Sequence, residues 1–224
     1  MSNIIDGIAL TKCFEIVSRC VTEVEALSDM LNGMLLEELG RSDNKLPCII
    51  NGESKHSYFT GDIGWVITDS AYSFPIKTKG KGKKKTAMYL GYQISLAGDG
   101  IALNNGNRQP LLHVCLWEVP LGFDDGNYVS FPMESASEAS FEIIDGRLLT
   151  WGDVTPEINW HDRGWTFSVL LTVLNNREDL LKYVVTPALS LLRGSDAKEA
   201  LPENLQGLVR YSKPIILGGS NEPS

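Results

Sequence analysis

Between positions 8 and 39, apolar residues recur at Leu10, Cys13, Phe14, Val17, Cys20, Val21, Val24, Leu27, Leu31, Met34 and Leu35. This spacing gathers them on one face of a helix rather than alternating them across a strand, and it predicts a helix over the whole stretch. Asp6 is placed to cap its start and Gly40 to end it, while Gly33 marks a point of bending or breakage. Unbroken, it would run about 50 Å at ~1.5 Å per residue, long for a chain of this size. Two helices, or one that reaches a partner, are the alternatives. Met30 and Met34 offer an adaptable docking surface, but methionine at this spacing reads as ordinary core.

Downstream the period shortens. Residues 41–57 are polar and turn-rich apart from Pro47-Cys48-Ile49-Ile50, which predicts a loop with one short strand. Residues 64–76 and 86–97 are rich in β-branched and aromatic types and predict two paired strands, with Pro75 at an edge or at the beginning of their loop. Residues 97–110 are dense in Gly and Asn and read as a connection, without the strand-to-helix setting of a phosphate-binding loop. Strands follow at 111–119 and, more briefly, at 128–133. Asp145-Gly146 between two apolar runs is a strong hairpin signal. Residues 165–174 are almost continuously apolar, as suits a strand buried on both faces.

From Leu180 to Leu192 the helical period returns, with Glu178 and Asp179 in the first turn, a kink expected at Pro187 and a stop at Gly194. A short helix interrupted by Pro202 completes the pattern. The expected fold is α+β: a long N-terminal helix, a central antiparallel sheet and C-terminal helices. It forms one domain over 1–212, with 213–224 as a flexible tail.

Size and composition fit this reading, since 224 residues at 43% hydrophobic content can bury one substantial core. Charge is distributed unevenly. The net charge is -8, yet six of the 20 basic residues lie between Lys77 and Lys85, leaving 14 against 28 acidic residues elsewhere. The net charge disfavours a generic DNA-coating protein, whereas the asymmetry weighs the other way: an acidic body carries one basic tip. The four cysteines include no CxxC pair, and no apolar run approaches the roughly 18 residues of a membrane-spanning helix. The expected setting is the cytoplasm, with reduced thiols and no membrane.

The candidate chemistry is sparse. Lys79, Lys81, Lys83, Lys84 and Lys85 are candidate nucleic-acid contacts, because their ammonium groups can neutralise several phosphates; a solvated loop is the competing reading. Tyr72, Phe74, Tyr89 and Tyr92 flank the tip, either as stacking platforms or as cross-strand packing. Trp160, His161, Arg163 and Trp165 form a dense aromatic and polar cluster and are the candidate partner-binding residues. His161 and Asp162 lack a positioned nucleophile.

His113 and Cys115 share a strand face and offer two zinc ligands, or a Cys-His pair, but no second pair of ligands completes a metal site, and burial in a core is the simpler account. Glu37, Glu38, Asp62, Asp69 and Glu118 are the acids available to a divalent-metal-dependent nuclease or phosphodiester hydrolase, without an acid-x-Lys strand signature. No catalytic residue, metal or cofactor is assigned. The expected function is a non-enzymatic interaction subunit of a cytosolic, nucleic-acid-associated protein complex. A nuclease and an acidic inhibitor or immunity-type protein are the alternatives.

Replacing Lys79, Lys81, Lys83, Lys84 and Lys85 by neutral residues should weaken nucleic-acid binding and flatten its dependence on salt. Equal binding by this variant at every salt concentration would reject a role for the tip.

Overall fold

The computed structural model describes residues 6–211 apart from 42, 44, 61–63, 65, 79–87, 99, 102–107, 130–140 and 152–163. Helix α1 (Gly7–Gly40) is continuous through Gly33, and the Asp6 carboxylate accepts the Ile8 N–H at 3.0 Å to cap its start. Its C-terminal half buries Ser28, Leu31, Met34, Leu35 and Leu39. These residues pack onto an antiparallel sheet with eight strands among the described residues: β1 (Cys48–Ile50), β2 (Lys55–Phe59), β3 (Asp69–Thr78), β4 (Met88–Ser95), β5 (Leu111–Trp117), β6 (Phe141–Ile144), β7 (Leu148–Trp151) and β8 (Gly164–Leu170). The spatial order is β1-β3-β4-β5-β8-β7-β6, with β2 also paired to β3.

Alternation along each strand sorts the side chains into two layers. Phe74, Leu90, Tyr92, Ile94, Leu112, Val114, Leu116, Trp165, Phe167 and Val169 join the helices in one core. Ala71, Leu111, Cys115 and Leu149 join a smaller cluster on the other side, covered by Leu121, Val129, Val209 and Tyr211. Both faces of β4, β5 and β8 are therefore buried, which accounts for their nearly continuous apolar sequences.

Tyr92 fixes α1 to the centre of the sheet. Its hydroxyl donates within reach of the Ser28 carbonyl at 3.2 Å and Asn32 Oδ1 at 2.9 Å. Next to it in β4, on the other face of the sheet, Gly91 leaves room for the covering segment: a Cβ there would stand 2.7 Å from the Tyr72 carbonyl oxygen and 3.0 Å from the Leu121 side chain.

Several local expectations change. β2 forms in the stretch read as loop, because pairing with β3 outweighs the weak strand preference of Lys55-His56-Ser57. Pro75 lies inside β3, but in the gap between its ladder to β2, which ends at Ser73, and its ladder to β1, which begins at Ile76. A residue without an N–H fits that gap. The brief strand expected at 128–133 is not formed at Tyr128 or Val129, where a bridge between Gly122 and Asn127 closes a turn instead; 130–133 lie outside the described residues. β8 ends at Leu170 and passes into a 3-10 turn at Leu171–Val173.

The Asp145-Gly146 hairpin forms as expected, with both residues at positive φ. Buried Arg147 ties it to the C-terminal segment by donating to the Leu201 carbonyl at 2.8 Å and to Glu203 at 2.9 Å. The C-terminal helical run comprises α2 (Arg177–Leu180), a π turn (Leu181–Val185) and α3 (Thr186–Arg193), followed by α4 (Ala197–Ala200). Pro187 cannot donate to the carbonyl one turn earlier, and the wider π turn before it takes up that defect. Gly194, at φ 98°, ends α3.

Leu31→Ala should lower stability by about 2–5 kcal/mol and Tyr92→Phe by about 1 kcal/mol, measured by denaturant unfolding. An unchanged midpoint for Leu31→Ala would contradict the packing of α1 on the sheet.

Candidate interaction surface

The N-terminal half of α1 leaves the domain. Residues 7–20 are exposed apart from half-buried Val17. Ile8, Leu10, Phe14 and Ile16 are 68%, 47%, 57% and 62% exposed, and Cys13 and Cys20 are exposed free thiols. At about 100° per residue, Leu10, Cys13, Phe14, Val17, Cys20, Val21 and Val24 fall on the same face as Ser28, Leu31, Leu35 and Leu39. The face that the sheet covers in one half of the helix thus continues beyond it, half-buried at Val24, Val21 and Val17 and exposed at Cys20, Phe14, Cys13 and Leu10. Local devices support this half. Asp6 caps it, and Arg19 and Glu23 approach to 3.9 Å one turn apart.

Where the helix meets the sheet edge, a groove of ≈ 290 Å³ opens between α1 and β2–β3, with Val21, Val24, Glu25 and Asp29 on one wall and His56, Tyr58 and Tyr72 on the other. His56 stacks on Tyr72 at 4.1 Å, and Tyr72 stacks on Tyr92 at 5.4 Å, so an aromatic ladder runs from the surface to the residue that holds α1. Partial burial holds the His56 imidazole below its usual pKa and favours the neutral ring. Desolvation, followed by the nearby carboxylates of Asp29 and Glu25, raises that of Tyr72. The groove therefore offers aromatic faces beside two acids, a chemistry suited to apolar or cationic groups.

The opposite face of the sheet carries a buried polar row. Gln93, His113 and Ser168 stand in register on adjacent strands. His113 Nδ1 lies 2.7 Å from Ser168 Oγ, which lies 2.7 Å from the Tyr211 hydroxyl. Gln93 accepts from the Val129 N–H at 2.8 Å and donates to its carbonyl at 3.1 Å, pinning the covering segment. Complete burial pushes the His113 pKa down to about 3 and the Cys115 thiol up to about 12. The imidazole is thus neutral and the thiol protonated near pH 7, so Cys115 lacks the thiolate that a nucleophile requires. His113 Nε2 has no partner among the described residues, and the Gly100 backbone passes so close that a Cβ there would stand 2.4 Å from it. This row stabilises the sheet interior.

The structure describes only some of the residues singled out from the sequence. Trp165 is 0% exposed and stacks with Phe167 at 6.0 Å, on the helix-facing side of β8; its ring belongs to the core and presents nothing to a partner. Trp160, His161 and Arg163 lie outside the described residues, as do Lys79, Lys81, Lys83, Lys84 and Lys85.

Among the acids, Glu37 pairs with Arg177 at 3.0 Å, Glu38 with Arg41 at 3.2 Å, Asp69 is buried beside Gln93, and Glu118 is exposed. Asp62 lies outside the described residues. Among the described residues no three His, Cys, Asp or Glu side chains are grouped to hold a metal ion, and no helix is long and apolar enough to cross a membrane. Phe74 and Tyr92 are buried in cross-strand packing. His56 escaped the sequence reading because β2 was not anticipated, and the free face of α1 was noted there but assigned to the core. No protein-family model, curated protein or solved structure matches the chain.

Because the folded His113 pKa lies below its unfolded value near 6.5, the stability it contributes is complete above that value and is lost as pH falls from ~6.5 toward 3. His113→Asn should be less stable at pH 7.5 yet lose less on acidification to pH 5 than the parent, by denaturant midpoints. An identical acid response in both would show that His113 does not govern this range.

Proposed function

We propose that the chain is a non-enzymatic interaction subunit of a cytosolic complex and that the projecting half of α1 is its docking element. One observation carries this reading: the apolar face of α1 continues for about four turns past the sheet that covers its other half. A helix gains most of its stability from packing such a face, and an isolated segment of this length is marginal in water. Contiguous apolar side chains held in solvent gain by meeting a complementary surface.

The neutral, enclosed state of His113 and Cys115 supports an interaction role over a catalytic one, as do the separate engagements of Glu37 and Glu38. The lysine-rich sequence at 77–85 supports nucleic acid as a further component of the complex, and the absence of CxxC pairing in the sequence supports a cytosolic setting.

The test is affinity recovery from native cells, with nuclease treatment, of the tagged chain and of a Phe14→Glu/Val17→Glu variant. The parent should retain a stoichiometric protein that the variant loses at least tenfold, while both unfold at similar denaturant concentrations because neither residue belongs to the core. Equal recovery by the two chains would overturn the assignment of α1 as the docking element.

A further inference from the structure

We infer that the groove between α1 and β2–β3 is a binding site for a guanidinium group, supplied by an arginine side chain of the protein that docks on α1. The source of that side chain rests on the docking reading; the site itself rests on its own geometry.

Two walls of different chemistry face each other across ≈ 290 Å³. The sheet wall is aromatic. Tyr72 covers one face of the His56 ring, 4.1 Å away and 14° from parallel, and Tyr58 stands beside that ring at 6.1 Å, inclined by 46°. A hydrogen bond between His56 Nε2 and Ser70 Oγ, at 3.2 Å, holds the imidazole in this pose.

The helix wall carries Glu25 and Asp29, one turn apart and so about 6 Å along the axis. Neither carboxylate has an ion pair or a hydrogen bond among the described residues, and like charges at this spacing repel each other. Both are close enough to act on the Tyr72 hydroxyl across the groove. A bound cation would relieve that repulsion.

The two walls together select the cation. Two uncompensated carboxylates exclude an anion. His56, Glu25 and Asp29 are not grouped as metal ligands. A lysine ammonium is compact and strongly hydrated, and it would have to shed that water against aromatic rings. A guanidinium is flat and weakly hydrated: its plane lies against the His56–Tyr58 wall while its N–H edges donate to the carboxylates. The aliphatic stem behind it packs on Val21 and Val24. These two valines also continue the face of α1 that carries Phe14 and Val17, so a chain lying along that face leads into the groove.

The experiment titrates the full chain with Nα-acetylarginine amide, followed by backbone amide shifts. Saturable shifts should centre on His56, Tyr58, Ser70 and Asp29. The citrulline analogue, of the same shape without the charge, should bind at least tenfold more weakly, and the lysine analogue several-fold more weakly. Glu25→Gln combined with Asp29→Asn should weaken arginine binding at least fivefold, and Tyr58→Ala several-fold. All three side chains are exposed, so denaturant midpoints should stay near the parent's. Phe14→Glu/Val17→Glu should bind the probe as the parent does.

Equal affinity for the arginine and citrulline analogues, or no shift at the groove, would overturn the site; if recovery of a protein from cells still depended on Phe14 and Val17, the docking role of α1 would stand. Tighter binding of the trimethyllysine analogue would overturn the choice of guanidinium. The Glu25→Gln/Asp29→Asn chain should also recover several-fold less of that protein. Recovery equal to the parent's would overturn the partner as the source of the arginine.

Discussion

The packing of the C-terminal half of α1 onto one face of the sheet is the constraint on which the rest of the architecture depends. Leu31, Met34, Leu35 and Leu39 supply the apolar contact, and the Tyr92 hydroxyl sets the helix at a fixed height and rotation through Ser28 and Asn32. With that contact in place, the helical runs after β8 fill the remaining area of the same face, where Leu180, Val184, Val185, Ala188 and Leu191 join the core. The rotation also determines which residues face outward beyond the sheet edge. Because the same stripe runs the length of the helix, fixing its inner half aims its outer half.

The second face of the sheet follows a different logic. Its central positions carry Gln93, Ser95, His113, Thr166 and Ser168 in place of hydrocarbon, all fully buried. Such a layer is stable when its members satisfy one another, and mutual hydrogen bonding fixes their positions more narrowly than apolar packing does. Gln93 shows the benefit, since one side-chain amide serves both backbone groups of Val129 and so holds an irregular segment over the sheet. Histidine and cysteine in this layer act as compact neutral parts. Their chemistry is suppressed by the same desolvation that makes their placement specific.

Much of the fold was legible in the sequence, for identifiable reasons. The long helix, the paired strands on either side of the lysine-rich stretch, the Asp145-Gly146 turn and the Gly194 stop each rest on local spacing or backbone preference, which a single chain displays directly. β2 was hidden because its partner, not its own composition, makes it a strand. The candidate surface was only half legible: periodicity shows that α1 has an apolar face, but full burial begins only at Ser28 and partial cover ends near Val21, and those limits depend on where the strands end. Trp165 illustrates the converse. Its neighbours Trp160 and Arg163 in the sequence suggest a recognition cluster, whereas alternation along β8 sends its ring into the core.

The division of one sheet edge between β1 and β2 has a bearing on solubility. A long, flat edge strand presents an unbroken row of backbone donors and acceptors onto which another chain can build, and that is a route to aggregation. Here β3 is covered by two separate pieces of three and five residues, offset around Phe74 and Pro75, and at the other end of the order β6 has four residues. Growth by strand addition would meet short, interrupted templates at both places. The molecule therefore exposes an apolar helical face while the described edges of its sheet discourage the indiscriminate polymerisation to which exposed β-structure is prone.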